Sequence, residues 1–311
     1  MKLKPLEQKN LYEHKETFNY LKNLYDLQKF PNKIIFSGQK GIGKSTLVYH
    51  FANYLFSKNE EYKYDFLNFT INESNKSFNL VKENTHPNFF LISLKESKKN
   101  IEISQIREMI SFCNKSSFNN QHKIILIDNA EYLNINSVNA ILKIIEEPNE
   151  KIFFFLILDS SKSLLDTLKS RCIKFNIKLN NDQKNLVIEK LLTSSFLNEL
   201  SYDFKDYFLS PGDYINLNNF LNDCKINLDT NIEDFFRILF KNKYYKNNFF
   251  LKNNLIFFVE LYFKKKFLNF NSKIDDYSNY KYFLNKINEA NKFNLDIDSV
   301  IMELELKLNN G

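Results

Sequence analysis

Four short stretches of this chain are apolar almost without interruption: "KIIFSG" (33–38), "NFFLISL" (88–94), "HKIILID" (122–128) and "KIFFFLILDS" (151–160). A strand with one wet face alternates apolar and polar residues, and these do not, so both of their faces must be covered. Between them lie segments with helical spacing: "KSTLVYHFANYLFS" (44–57), "SQIREMISFCNK" (104–115) and "NSVNAILKIIEEP" (136–148), the last stopped by Pro148. Buried strands alternating with helices predict an α/β domain, a parallel sheet with helices on both faces. A helical pattern at 8–30 (Leu11, Phe18, Leu21, Leu24, Leu27) leads into it, and Pro31 ends that pattern. Residues 58–85 are polar, Asn-rich and weakly patterned, and read as an insertion. After residue 178 the strand signal fades. A small helical domain is expected over 179–222 and an all-α domain over 223–311, where "IEDFFRILFKNKYY" and "NNLIFFVELYFKKKFLNF" dominate.

The glycines sharpen this reading. The chain has five, and Gly38, Gly41 and Gly43 fall within six residues of one another. "GQKGIGKS" (38–45) fits G-x-x-x-x-G-K-[ST] between a predicted strand and a predicted helix, the context of a phosphate-binding loop. Gly38, Gly41, Ile42, Gly43, Lys44, Ser45 and Thr46 are therefore expected to hold the phosphates of ATP. Backbone N–H groups point inward and the helix N-terminus adds its dipole. Lys44 should reach the β and γ phosphates, and the Ser45 hydroxyl should ligate Mg²⁺.

Asp128 ends the strand "IILID", at the edge where ligands bind in open α/β sheets. It reads either as a second Mg²⁺ ligand beside Ser45 or as a turn cap. Many ATPases follow such an Asp with a Glu that polarises the attacking water; here Asn129 stands there, and Glu131 lies two residues on. Arg171 of "LKSRC" is one of only three arginines among 43 basic residues, so a planar, multi-donor cation is wanted there. It reads either as a surface ion pair or as a contact to the γ-phosphate of a neighbouring subunit's nucleotide. Glu146 and Glu147 are consecutive on a helix and point apart, which favours a solvated helix end over an acid–base pair.

Cys113, Cys172 and Cys224 form neither a disulfide framework nor a metal quartet, and the four histidines are isolated. No apolar run is long enough for a membrane span, and "MKLKPLEQKNLYEHK" is too polar for a signal peptide. A cytoplasmic protein is expected. The net charge of +6 permits contact with nucleic acid without requiring it.

"GQKGIGKSTL", "HPNFFLI", "ILIDNAEYLNINSVNAILKIIEEP" and "LKSRC" stand in an order that closely resembles the AAA+ clamp-loader subunits of bacterial DNA polymerase III. The resemblance covers residues 8–178 well. It is thinner beyond, where "LSPGDYINL" (209–217) and "NKFNLDIDSVI" (291–301) look like the lid and C-terminal helix of the delta-prime type. Gamma/tau chains open with an Arg-Tyr-Arg-Pro-like stretch and run longer, so delta-prime is the nearer type. Both types often carry a four-cysteine zinc module before the Asp-bearing strand; only Cys113 lies in that interval, so no zinc is expected.

By this resemblance, 1–178 is the AAA+ nucleotide-binding domain, 179–222 the lid and 223–311 the oligomerisation domain. Arg171 is the arginine finger, offered in trans to ATP on a gamma/tau subunit. The implied partners are gamma/tau, delta and, through the complex, the sliding clamp and primer-template DNA. Asn129, Asp213 where active members carry Arg, and Leu158–Asp159 where a sensor threonine is usual all imply weak or absent ATP turnover. The competing readings are a self-sufficient P-loop ATPase, such as a gamma/tau-type motor subunit, and a small-molecule kinase, for which no acceptor site is evident.

Overall fold

A computed structural model describes residues 4–95, 98–146, 151–192, 196–205, 209–246, 248–268, 274–293 and 295–309. The four apolar runs become strands Lys33–Gly38 (β1), Phe89–Ile92 (β2), Lys123–Ile127 (β3) and Ile152–Asp159 (β4). With a fifth, Ile173–Asn176 (β5), they form an all-parallel sheet in the order β2-β3-β4-β1-β5. Sequence pattern did not reveal β5. It is an edge strand paired only to β1, and "IKFN" has mostly exposed residues, so it lacks the apolar run of a central strand.

Alternation along the central strands divides two cores. Ile34, Phe36, Ile124, Leu126, Phe153, Phe155 and Ile157 face one side, under Lys15–Asp26 (α1), Lys44–Phe56 (α2) and Lys76–Lys82 (α3). Ile35, Ile125, Ile127, Phe154, Leu156 and Leu158 face the other, under Ile103–Asn114 (α4) and Ile135–Glu146 (α5). Each buried aliphatic or aromatic side chain contributes roughly 1.5–3 kcal/mol, so covering both faces is the main favourable term. Of the positions expected on α1's buried face, Phe18 and Leu21 are fully enclosed. Leu27 is 65% exposed because the helix has already ended at Asp26.

Residues 58–85 are not a loose insertion. Tyr64, Phe69, Ile71, Phe78 and Val81 are buried in the same core as α1 and α2, and Tyr64 stacks on Phe18 with ring centroids 5.2 Å apart. Asn75 caps α3: its side-chain oxygen accepts from the Phe78 N–H (2.6 Å) and from Asn53 Nδ2 (2.8 Å). The apolar residues here have no helical or strand period, so only tertiary packing reveals their role.

The chain divides into two compact units: one runs through Val187 and takes in Ser210–Gly212, the other comprises Ile188–Leu209 and Asp213 onward. Short helices Asp166–Lys169 (α6) and Asn181–Leu191 (α7) follow β4 and β5. The second unit is built of helices Phe196–Glu199 (α8), Tyr202–Lys205 (α9), Pro211–Asp223 (α10, which belongs to this unit from Asp213 onward), Ile232–Lys241 (α11), Phe249–Asn253 (α12), Leu255–Leu268 (α13), Ile274–Phe293 (α14) and Ile297–Asn309 (α15). Its core is aromatic. Ile232, Phe235, Phe236, Leu239 and Phe240 line one face of α11 at helical spacing, and Phe235 stacks on Phe258 at 4.9 Å. Among the described residues no helix is long and apolar enough to cross a membrane.

Two of the three buried histidines of the first unit, His50 and His86, are held firmly as neutral rings. His50 Nε2 donates to the Gln8 carbonyl (3.1 Å), so its Nδ1 accepts from the Tyr64 hydroxyl (3.0 Å). His86 stacks on Phe56 at 4.1 Å. Burial pushes both down to about 4 from an ordinary 6.5. Below pH 6.5 the unfolded chain takes up protons that the folded rings refuse, so stability falls as pH falls towards 4. Urea unfolding should show a loss on the order of 2 kcal/mol per ring between pH 7 and pH 5. A level unfolding free energy over that window would contradict the buried neutral rings.

Candidate nucleotide-binding site

The site is assembled at the C-terminal edge of the sheet. There β1 runs out at Gly38, β3 delivers Asp128, and β4 ends at Asp159, which lies beside Gly38 in the parallel register. Between β1 and α2 the chain turns through Gly41 (φ 81°) and Gly43 (φ 93°), both in the left-handed region that L side chains rarely adopt. The turn brings the loop's amides and the first turn of α2 to one place, the arrangement that binds anions at helix N-termini. Ile42 is buried beneath the loop, and Thr46 is half-buried on the first turn of α2.

Lys44 is only 5% exposed, and its ammonium donates to the carbonyls of Gly38 (2.7 Å) and Gln39 (2.6 Å). Burial lowers its pKa, while Asp159, Glu131 and Asp128 nearby pull it back up. The Ser45 hydroxyl donates to Asp128, 3.2 Å from Oδ1 and 3.3 Å from Oδ2. Burial raises the pKa of Asp128, and the hydrogen bonds from Ser45 and the Asn129 backbone partly offset this. The sequence-expected phosphate and cation residues are thus brought together. A hydroxyl beside a carboxylate suits a hard divalent cation such as Mg²⁺, and Lys44 with the loop amides suits phosphate oxygens.

Three contacts at the loop were not legible as site features. His14, an isolated histidine in sequence, is buried with Nε2 donating to the Ile42 carbonyl at 2.6 Å. A Cβ placed on Gly43 would lie 3.3 Å from that same nitrogen. Burial lowers the His14 pKa, against the raising effect of the Ile42 hydrogen bond. Lys184 Nζ donates to the Gln39 side chain at 3.0 Å. The Gly212 N–H donates to the Gly41 carbonyl at 2.9 Å, and Ser210 packs directly on Gly41. The one signal for this last contact was a rare glycine at 212 in a chain that has five.

Asn129 sits at φ 59°, ψ 55°, a left-handed conformation that Asn tolerates better than most residues. It therefore has a backbone reason to be there as well as lacking a carboxylate. The Glu131 side chain turns towards the end of β4, where its Oε2 accepts weakly from the Asp159 N–H (3.4 Å). Leu158 is buried in the core, and the Asp159 carboxylate accepts from the Ser161 N–H (3.0 Å). Asp213 lies in the first turn of α10.

Arg171 sits between α6 and β5. Its Nε donates to Glu146 Oε1 (2.6 Å) and its Nη1 to the Thr167 carbonyl (2.9 Å). Its hydrogen bonds thus go to Glu146 and its own turn rather than to the phosphate loop. Glu146 has a specific partner and is more than a solvated helix end; Glu147 and Pro148 lie outside the described residues.

A glycine loop between an interior strand and a helix, in a five-stranded parallel sheet where Asp128 follows β3 and β4 lies between β3 and β1, defines the AAA+-like class of P-loop folds. The family described as DNA polymerase III, delta subunit, matches residues 13–181, and the chain belongs to that clamp-loader family. The subunit delta' of Pseudomonas aeruginosa is 32% identical over 137 residues, 44% of this chain and 40% of that protein. The subunit delta' of Buchnera aphidicola is 31% identical over 163 residues, 52% of this chain and 48% of that protein. This chain therefore spans less than half the length of these curated relatives. A DNA polymerase III gamma-subunit-related protein of Thermotoga maritima overlays with a TM-score of 0.48 at 15% identity, covering 93% of this chain and 98% of that one.

The crowding at Gly41 has a measurable consequence. A Cβ there would meet Ser210 Oγ at 2.2 Å and would also force a side chain into φ 81°. Gly41→Ala should destabilise the protein by about 1–3 kcal/mol in urea unfolding. A Gly41→Ala protein as stable as the parent would show that the Ser210–Gly212 contact is not tight.

Proposed function

We propose that this chain is a delta-prime-type clamp-loader subunit that assists ATP-dependent loading of a sliding clamp onto primed DNA, with little or no ATP turnover of its own. The carrying observation is the state of Arg171: half-exposed and anchored at two of its nitrogens, Nε by Glu146 and Nη1 by Thr167. A guanidinium so held is suited to a phosphate outside its own site. In this reading Arg171 is the arginine finger for ATP on an adjacent gamma/tau subunit, and the complex also holds delta.

The phosphate loop of this chain (Gly38, Gly41, Ile42, Gly43, Lys44, Ser45, Thr46) binds ATP, with Mg²⁺ held by Ser45 and Asp128. Binding is better supported than hydrolysis. The residue after Asp128 is Asn, whose amide orients water but accepts no proton, and Glu131 is turned to the Asp159 amide. Residues 179–222 serve as the lid and 223–311 as the oligomerising domain, and the protein works in the cytoplasm.

Two measurements test this. The purified chain alone should hydrolyse ATP far below about 1 s⁻¹, the lower range of ordinary enzymes. A rate at or above that would favour the self-sufficient motor reading. In a complex reconstituted with gamma/tau and delta, Arg171→Ala should slow the ATPase by at least about tenfold, given that such fingers contribute up to 10³–10⁵ elsewhere. It should leave nucleotide binding by this chain unchanged; an unaltered complex rate would remove the finger assignment.

A further inference from the structure

Two sequence motifs that read as unrelated meet in space. The helix ending in the paired glutamates is α5, and its last described residue, Glu146, accepts from Arg171 Nε at 2.6 Å. Arg171 Nη1 donates to the Thr167 carbonyl at 2.9 Å and lies 3.4 Å from Ser170 Oγ. Nε and Nη1 are thus engaged, while among the described residues Nη2 meets no partner.

This pair contributes little to folding. The side chains are 40% and 53% exposed, and an ion pair in that setting is worth at most about 1 kcal/mol. Its effect is on the conformation of the arginine. A free Arg samples many rotamers, and ordering it at the moment of reaction would cost entropy. Anchors on Nε and Nη1, one from α5 and one from α6, remove that freedom in advance and leave Nη2 unengaged among the described residues.

We propose that Glu146 is a positioning residue for Arg171, setting the guanidinium so that Nη2 meets the terminal phosphate of a nucleotide on a neighbouring subunit. This rests on the reading of Arg171 as a finger in trans. The opposite role, in which Glu146 masks the guanidinium, would need the carboxylate on Nη2. It is on Nε instead, so removing Glu146 should slow the reaction rather than release it.

The test uses the reconstituted complex with the full-length chain, measuring kcat and KM for ATP with Arg171→Ala, Glu146→Ala, Glu146→Gln and the Glu146→Ala/Arg171→Ala double variant. Glu146→Ala should lower kcat on the order of tenfold with KM nearly unchanged. Glu146→Gln keeps an oxygen acceptor for Nε and should recover most of the loss. The double variant should be no slower than Arg171→Ala. Urea unfolding of the isolated Glu146→Ala chain should match the parent, separating positioning from misfolding. If Arg171→Ala slows the complex but Glu146→Ala does not, the positioning role is wrong and the finger stands. A faster Glu146→Ala complex, or additive losses in the double variant, would equally overturn it. If Arg171→Ala itself changes nothing, the finger reading fails and this inference with it.

Discussion

The burial of β4 on both faces is the constraint from which the rest of the first unit follows. Its first seven residues are all buried, and it lies between β3 and β1, with Phe153, Phe155 and Ile157 packed to one side and Phe154, Leu156 and Leu158 to the other. A strand in that position cannot give either face to water, so helices must cover both, and parallel neighbours need crossovers long enough to contain them. Parallel direction then puts all strand ends on one edge. That is why Gly38, Asp128 and Asp159, far apart in sequence, converge. The phosphate loop is positioned by a hydrophobic requirement well away from any ligand.

At that edge the charges balance one another. A buried ammonium is costly unless its donors are satisfied, and Lys44 meets this with two carbonyls of its own loop and with the fields of Asp159, Glu131 and Asp128. Asp128, half-buried, is held by the Ser45 hydroxyl. The loop is braced from three directions: His14 on the Ile42 carbonyl, Lys184 on Gln39, and Gly212 on the Gly41 carbonyl. Such bracing fixes the loop at Gln39, Gly41 and Ile42 independently of which residue follows Asp128.

What the sequence disclosed, and what it hid, divides along physical lines. Strands β1 to β4 and helices α2, α4 and α5 were legible because continuous burial and a 3.6-residue period are written locally. The phosphate loop was legible because positive φ demands glycine, and glycine is rare here. Strand β5 was not, because an edge strand with one neighbour needs no apolar run. Tyr64, Phe69 and Phe78 were lost among polar neighbours because irregular segments have no period to betray which side chains turn inward. His14, Gly212 and the Glu146–Arg171 pair are contacts across 28, 171 and 25 residues, and pattern carries no information about such partners.

The choice of arginine at 171 follows from the same accounting. The chain uses Lys nearly everywhere it needs a cation, so a Lys at 171 would have sufficed for a simple ion pair with Glu146. An ammonium has one nitrogen, and engaging it with Glu146 and the Thr167 carbonyl would leave its charge centred on those anchors. A guanidinium spreads its charge over three nitrogens in a rigid plane, so Nε and Nη1 can be spent on position while Nη2 stays available. Only a residue with separable donors can be both fixed and presented. In the role proposed for Arg171, that requirement would distinguish an orienting contact with Glu146 from an ordinary surface salt bridge.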